Sequence, residues 1–311
     1  MQYINATLFV IGGIIFLYLG AETIIKGGVS LGRRLKISSL LIGLTVIALG
    51  TSLPEAVVSL LAQVQAQKSS MAIGNILGSN VANIGLILGL CACFFPIKIN
   101  KNLFKRDIPF MLIITLIYSW VLFKGSVSRL EGIGMLMTLV FYTTWVFFLE
   151  RKNKDEPSED AISKSISHDL FYIVIGIIGL VLGGYLLVEG GVLWAQFLGI
   201  SDRVIGFTVL AIGTSFPELV TVFVALYKNK GDLALGNIVG SNIFNLLFIT
   251  GSVAWVRPLS FDSLVVTQDI PFLIFLSFLL LLLTFKQRCI GRIKGFILFL
   301  LYAIYLEQLF T

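Results

Sequence analysis

Two glutamates, Glu55 and Glu218, close nearly identical apolar phrases, IGLTVIALGTSLPE at 42–55 and IGFTVLAIGTSFPE at 205–218. An acid at the centre of a membrane segment costs about 2.5–3.5 kcal/mol on insertion scales, so finding one twice points to an ion or substrate site. Each glutamate follows a proline, Pro54 or Pro217, and a glycine stands four residues before that proline, Gly50 or Gly213. Proline lacks the amide hydrogen a helix needs and crowds the preceding turn. Irregular backbone at membrane depth survives only where protein or a wet cavity surrounds it. The carbonyls of Ala48, Gly50 and Thr51 are therefore candidate ligands. Thr51 and Glu55 are four apart and share a helical face, as do Thr214 and Glu218.

A second pair of phrases follows, AIGNILGSNVANIGLILG at 72–89 and ALGNIVGSNIFNLLFITG at 234–251. Asn75, Ser79 and Asn83 fall at i, i+4 and i+8, and so do Asn237, Ser241 and Asn245. Each stripe lines one face of a helix with neutral oxygen donors. Gly74 with Gly78, and Gly236 with Gly240, make the small-xxx-small spacing that brings membrane helices close. The whole constellation is hard oxygen, without His or Cys. That suits Na⁺ or Ca²⁺ and argues against zinc or copper. Two carboxylates balance one divalent cation, and the same oxygens can instead hold several monovalent ions.

These motifs need elements to carry them. A mean hydropathy of +0.96, with 57% hydrophobic and 13% charged residues, excludes an ordinary soluble domain. Ten apolar stretches are long enough to cross a bilayer core of about 30 Å. They lie at about 5–26, 39–66, 71–95, 108–124, 129–150, 168–190, 203–228, 232–256, 266–286 and 290–309. The first has no basic leading region and is read as a span, not a cleaved signal. The fold class expected is thus all-α, ten transmembrane helices. The polar stretch 151–167 separates a first repeat, 1–150, from a second, 168–311; GGVSLGRRLKIS at 27–38 matches GGVLWAQFLGIS at 190–201 at the same 163-residue spacing. Five spans per half makes the second half inverted, as in secondary transporters.

Eighteen of the 23 basic residues fall in alternate loops, which by the positive-inside rule puts both termini outside and the linker inside. The basicity gathers in no long run, so nucleic acid is not a partner. Cys91, Cys93 and Cys289 read as small apolar residues, and His168, the one histidine, as a linker residue. Glu22 and Glu189 sit near the ends of spans one and six without aligning; they read as interfacial, with gating or ion access as the alternative.

At GTSLPE…GNILGSNVAN and GTSFPE…GNIVGSNIFN the chain resembles the two α-repeats of the sodium/calcium exchangers, within the calcium/cation antiporter superfamily. The resemblance covers essentially the whole chain, and the short linker is similar to that of prokaryotic members in the cytoplasmic membrane. It implies that Glu55 and Glu218 are central ligands shared by Ca²⁺ and Na⁺, with Thr51 and Thr214 adding oxygens. It further implies flanking Na⁺ sites at the Ala48 carbonyl with Ser79 and the Ala211 carbonyl with Ser241. Ser52 and Ser215 would support the ends, Asn83 and Asn245 the middle. Spans one and six would slide as a pair across the rest. Some members, including the potassium-dependent branch, carry Asp where this chain has Asn245, which favours potassium-independent exchange. The first half has one more residue between its two motifs, expected in the turn near Lys68.

The residues leave alternatives. Ca²⁺/H⁺ exchange through the same glutamates is a close rival, since buried acids carry protons as well as metals. A passive channel fits inverted broken helices less well. An intramembrane enzyme would want an Asp pair or a Ser/His constellation, which the motifs lack. The implied partners are Ca²⁺, Na⁺ and the lipid bilayer, with no prosthetic group and no obligate protein partner.

Overall fold

The computed structural model describes residues 2–64, 69–152, 165–199, 213–260, 263–285 and 288–310. The longest helices are α1 (Gln2–Leu35) and α7 (Ile166–Phe197), and both run past the apolar cores of spans one and six. The extra turns are anchored: Arg34, in the last turn of α1, pairs with buried Asp169, in the first turn of α7, at 2.9 Å. The two helices lie antiparallel along a seam of glycines seven apart. Gly13, Gly20 and Gly27 face α7, and Gly176, Gly183 and Gly190 face α1. A Cβ on Gly20 would stand 2.6 Å from the Leu180 amide nitrogen, and one on Gly183 2.5 Å from that of Leu17. Backbones that close leave no room for any side chain, the small-residue packing that membranes favour.

Span two is broken. Helix α2 (Ser39–Thr51) contains a π turn, Gly43–Ile47, and meets α3 (Leu53–Val64) at a 43° bend. Span three is α4 (Ser69–Phe94), with a π segment at Asn83–Leu88. Span four is α5 (Ile108–Leu122), entered through a π turn at Leu103–Asp107, and span five is α6 (Arg129–Lys152). In the second half α8 (Phe216–Tyr227) is the later part of span seven. Span eight is α9 (Gly231–Val256), with a π turn at Asn245–Ile249. Spans nine and ten are α10 (Ser263–Phe285) and α11 (Arg292–Phe310). The linker core, the residue-68 turn and the start of span seven, with Ala211, lie outside the described residues.

Burial sorts these helices. Within their apolar windows α9 is 94% buried and α4 78%, against 28% for α6 and α7. So α4 and α9 form the centre, while α1, α6 and α7 show Ile, Leu and Phe to lipid. The aromatic residues follow, with Trp120, Phe141 and Tyr185 on the outer surface.

The two repeats interlock. Helix α6 of the first half packs on the end of α9, where Gly132 meets Gly251, and α11 packs on the end of α4, where Gly295 meets Gly89. The sequence read all-α; the structure adds two short antiparallel ribbons. Strand β1 (Ile97–Lys98) pairs with β4 (Cys289–Ile290), and β2 (Ser126–Val127) with β3 (Leu259–Ser260). Each ribbon ties a loop of one repeat to a loop of the other, capping backbone groups where helices end. A repeated DIPF, at 107–110 and 269–272, makes a matching clasp in each half. Tyr142 donates to Asp107 at 2.9 Å and Tyr305 to Asp269 at 2.8 Å, while Phe110 and Phe272 stack on those tyrosines. In the first half Arg106 adds ion pairs to Asp107 and Glu150.

The glycine seam predicts a stability difference. Gly183→Ala should lower unfolding stability by about 1–3 kcal/mol, the usual cost of forcing atoms into a filled contact. Gly134→Ala, on the outer face of α6 with nothing within 4 Å among the described residues, should leave it unchanged or raise it by up to about 1 kcal/mol through helix propensity. Thermal unfolding of the two variants in detergent checks the contrast.

Candidate functional site

The bend of span two and the start of α8 bring the two glutamates to the centre of the molecule, each almost fully buried. Glu55 lies in the first turn of α3 and Glu218 in the first turn of α8. Helix N-termini carry unpaired amides and partial positive charge, so both carboxylates sit where a broken span favours an anion. Neither has an ion pair with Lys or Arg among the described residues.

The repeats exchange hydroxyls at this point. Ser52 donates to Glu218 Oε1 at 3.2 Å, and Ser215 donates to Glu55 Oε1 at 3.3 Å. The serine before each Leu-Pro-Glu or Phe-Pro-Glu thus holds the glutamate of the other half. Thr51 extends the link: its Oγ1 lies 3.2 Å from Asn237 Oδ1 and 3.5 Å from Ser241 Oγ. Asn75 stays within its own repeat, donating to Ser59 at 2.9 Å and to the Glu55 carbonyl at 3.3 Å.

Several oxygens in this region have no donor. Glu55 Oε2, Glu218 Oε2, Ser79 Oγ, Thr214 Oγ1, Asn83 Oδ1 and Asn245 Oδ1 are buried without a hydrogen-bond partner among the described residues. Buried polar atoms are normally paired, and a set of unpaired oxygens is chemically suited to a cation without its full water shell. Asn83 and Asn245 each open a π segment, a distortion that recurs at functional sites because it re-aims side chains and carbonyls. The Asn83 segment packs against α8, which carries Glu218, and the Asn245 segment against α3, which carries Glu55.

The predicted ligands are thus brought together unequally. Ser52 with Glu218, Ser215 with Glu55, and Thr51 with Ser241 are hydrogen-bonded pairs that each cross the repeats. Ser79, Thr214, Asn83 and Asn245 bring unpaired oxygens, and Ala211 lies outside the described residues. The Ala48 carbonyl differs from expectation: it accepts the Ser52 amide at 3.0 Å and the Thr51 hydroxyl at 3.4 Å. Pro54 lacks the amide that would reach Gly50, four residues earlier, not Ala48, so the break leaves the Ala48 bond intact. Gly50 and Gly213 serve another purpose too. A Cβ on Gly50 would stand 2.8 Å from Ile177, and one on Gly213 would overlap Val188, both side chains of α7. The glycines admit the long helix to each break. Glu22 is a bridge: Lys228, after α8, pairs with it across half-exposed surface.

The family description "Sodium/calcium exchanger protein" matches residues 5–148 and again 168–310, once for each inverted half. The chain belongs to the sodium/calcium exchanger family. Within it, the chain is 32% identical to "Sodium/calcium exchanger MaX1" of Methanosarcina acetivorans, over 97% of this chain and 98% of that protein. It is 35% identical to the "Putative antiporter CaxA" of Alkalimonas amylolytica, over 98% and 99%. Among solved structures it is similar to the sodium-calcium exchanger NCX_Mj soaked with Na⁺ and Sr²⁺. That match has a TM-score of 0.84, 32% identity and 98% coverage of both chains. Membership accounts for the ten helices in two inverted sets of five. Sequence reasoning missed the glycine seam of this exchanger fold, although its seven-residue spacing is visible in the chain. It also missed Tyr118 and Thr250, discussed below.

The reciprocal serines carry a prediction. Ser52→Ala and Ser215→Ala each strip a buried carboxylate oxygen of its donor, at a cost of about 1–3 kcal/mol. Because the repeat relates them, both variants should lose similar thermal stability in detergent without added cation. A loss confined to one variant would show that only one cross-repeat bond matters.

Proposed function

We propose that this protein is a secondary antiporter that exchanges Na⁺ for Ca²⁺ by alternating access. The observation that carries the reading is the pair of buried glutamates at two helical breaks, each held by a serine of the opposite repeat and each with one unpaired oxygen. In this reading Glu55 and Glu218 neutralise one Ca²⁺, and Thr51, Thr214 and neighbouring carbonyls fill out the roughly 6–8 oxygens that Ca²⁺ prefers. Na⁺ occupies flanking positions built from the Ala48 carbonyl with Ser79 and the Ala211 carbonyl with Ser241. Ser52 and Ser215 close the ends, and Asn83 and Asn245 line the middle. Competition between one divalent ion and several monovalent ions for the same carboxylates couples the two fluxes. Relatives named as sodium/calcium exchangers over nearly the full chain support this choice over Ca²⁺/H⁺ exchange.

The moving part in this reading is the α1–α7 pair. Its glycine seam and the Arg34–Asp169 bridge bind it into one body, while Gly50 and Gly213 let it pass close to both breaks. The repeats 1–150 and 168–311 provide the two halves of the pathway. The linker 151–167 faces the cytosol and both termini face outside, in a prokaryotic cytoplasmic membrane, as the charge bias of the loops indicates. Asn245, neutral like Asn83, makes the middle symmetric and the exchange independent of potassium.

The test is uptake of radiolabelled Ca²⁺ into Na⁺-loaded proteoliposomes, at equal pH on both faces and without potassium. Uptake is expected to require the outward Na⁺ gradient and to vanish in Glu55→Gln and in Glu218→Gln. Uptake that ignores Na⁺ and follows a pH gradient would assign proton coupling instead, and wild-type rates in either glutamine variant would reject the site. Asn245→Asp should keep the fold while changing ion preference, read as potassium-dependent uptake or an altered pH profile.

A further inference from the structure

Asn245 opens the π turn Asn245–Ile249, and Thr250 follows it. The Asn245 carbonyl accepts two hydrogens from that threonine, its backbone amide and, at 3.3 Å, its hydroxyl. The hydroxyl of Tyr118, on α5, lies 3.1 Å from the same threonine oxygen. A threonine hydroxyl has one proton. Since Thr250 gives it to Asn245, Tyr118 must donate to Thr250, and the chain runs in one direction from α5 to the backbone of Asn245. All three residues are buried, and the other end of Asn245, its Oδ1, has no donor among the described residues.

The first repeat has no counterpart. Leu88 stands where Thr250 does and Leu280 where Tyr118 does, both buried. The π segment at Asn83 therefore has no hydroxyl fastening its first carbonyl, whereas the one at Asn245 is pinned from outside the repeat motif. Two hydrogens on the Asn245 carbonyl hold the backbone at the start of the π turn, and it is from that backbone that the Asn245 side chain leaves the helix.

We propose that Tyr118 and Thr250 are positioning residues: through the Asn245 carbonyl they hold the Asn245 amide toward the site and set how finely that side discriminates between cations. This rests on the reading of Asn245 as an ion ligand. Neither positioning residue touches the ion. Their effect is on size discrimination, because a ligand oxygen held in place tolerates less variation in ion radius than a free one.

The experiment compares half-saturating Ca²⁺ and Sr²⁺ for uptake into proteoliposomes, a ratio that holds whichever ion drives the flux. Thr250→Val and Tyr118→Phe should each change this Sr²⁺/Ca²⁺ ratio about 2- to 10-fold, the span that one net hydrogen bond carries, with a smaller change in maximal rate. Thr250→Ser, which keeps the hydroxyl, should stay within about twofold of wild type. Asn245→Ala should change the ratio as well. Wild-type ratios in Thr250→Val and Tyr118→Phe beside an altered Asn245→Ala would overturn the positioning role and leave the ligand reading standing. A Thr250→Ser variant as altered as Thr250→Val would overturn it too, since packing and not the hydroxyl would then be responsible. A wild-type ratio in Asn245→Ala would reject the ligand reading and this inference with it. Tyr118→Phe removes one oxygen from a ring that stays packed, and it carries the test if Thr250→Val fails to fold.

Discussion

Two carboxylates enclosed in a membrane protein, with no basic side chain paired to them among the described residues, set the terms for the rest of this structure. Removing a charge from water costs several kcal/mol even after the protein relaxes, and two like charges near each other add repulsion. Serine hydroxyls and helix N-termini offset part of that cost but cannot balance a net charge. The remaining deficit is what a bound cation would relieve in the proposed reading. It also explains why each glutamate stands in the first turn of a helix, Glu55 just after the bend of span two and Glu218 at the start of α8, since a helix start supplies amides that a helix interior keeps for itself. A lysine in place of either serine would satisfy the carboxylate permanently and leave nothing for an ion to do.

Walls around such a site must approach closely and still separate, and this chain meets both demands with glycine. Between α1 and α7 the seam is long and regular, with Gly13, Gly20 and Gly27 against Gly176, Gly183 and Gly190, and the Arg34–Asp169 bridge closes one end. Against the two breaks the same pair meets single glycines, Gly50 under Ile177 and Gly213 under Val188. A long seam binds the two helices to each other more strongly than a few isolated contacts bind them to the core. In the proposed mechanism the surface that yields is therefore the one over the two glutamates. The centre behaves differently: α4 and α9 are buried, and the exchange of α6 and α11 between repeats ties them into one body.

What could be read from the sequence follows the same physics. Charged and hydroxyl residues inside apolar runs are conspicuous, so Glu55, Glu218, Thr51 and the two asparagine stripes stood out, and their repetition revealed the duplication. Hydropathy located the ten spans because lipid allows so few alternatives. The glycine seam was present as a seven-residue spacing, yet glycine is common in membrane helices for many reasons, and only the distances to a partner backbone show which ones matter. The π turns were not legible, since they arise from packing on both sides of a helix and not from a composition. The cross-repeat serine bonds required knowing that the two breaks lie face to face. In the sequence Pro54 marks the carbonyls of Ala48, Gly50 and Thr51 together; the Ala48 carbonyl keeps its bond to the Ser52 amide, because the amide that Pro54 lacks would have reached Gly50.

The repeats are similar but unequal, and the inequality is informative. Asn75 bonds Ser59 within its own half, while Val222 stands at the position corresponding to Ser59, so Asn237 has no such partner and faces Thr51 across the repeats. An inverted-repeat transporter changes its open side by letting the two halves exchange conformations. Were the halves identical in sequence, the inward-open and outward-open arrangements would have equal intrinsic energy. Here the Asn75–Ser59 bond can form in only one half. A bond of about 1 kcal/mol net shifts a two-state population about fivefold where one state makes it and the other does not. The Tyr118–Thr250 relay, which runs from the first half to the second, has no equivalent at Leu280 and Leu88. Such departures from exact repetition leave the two halves chemically distinct around the residues they share.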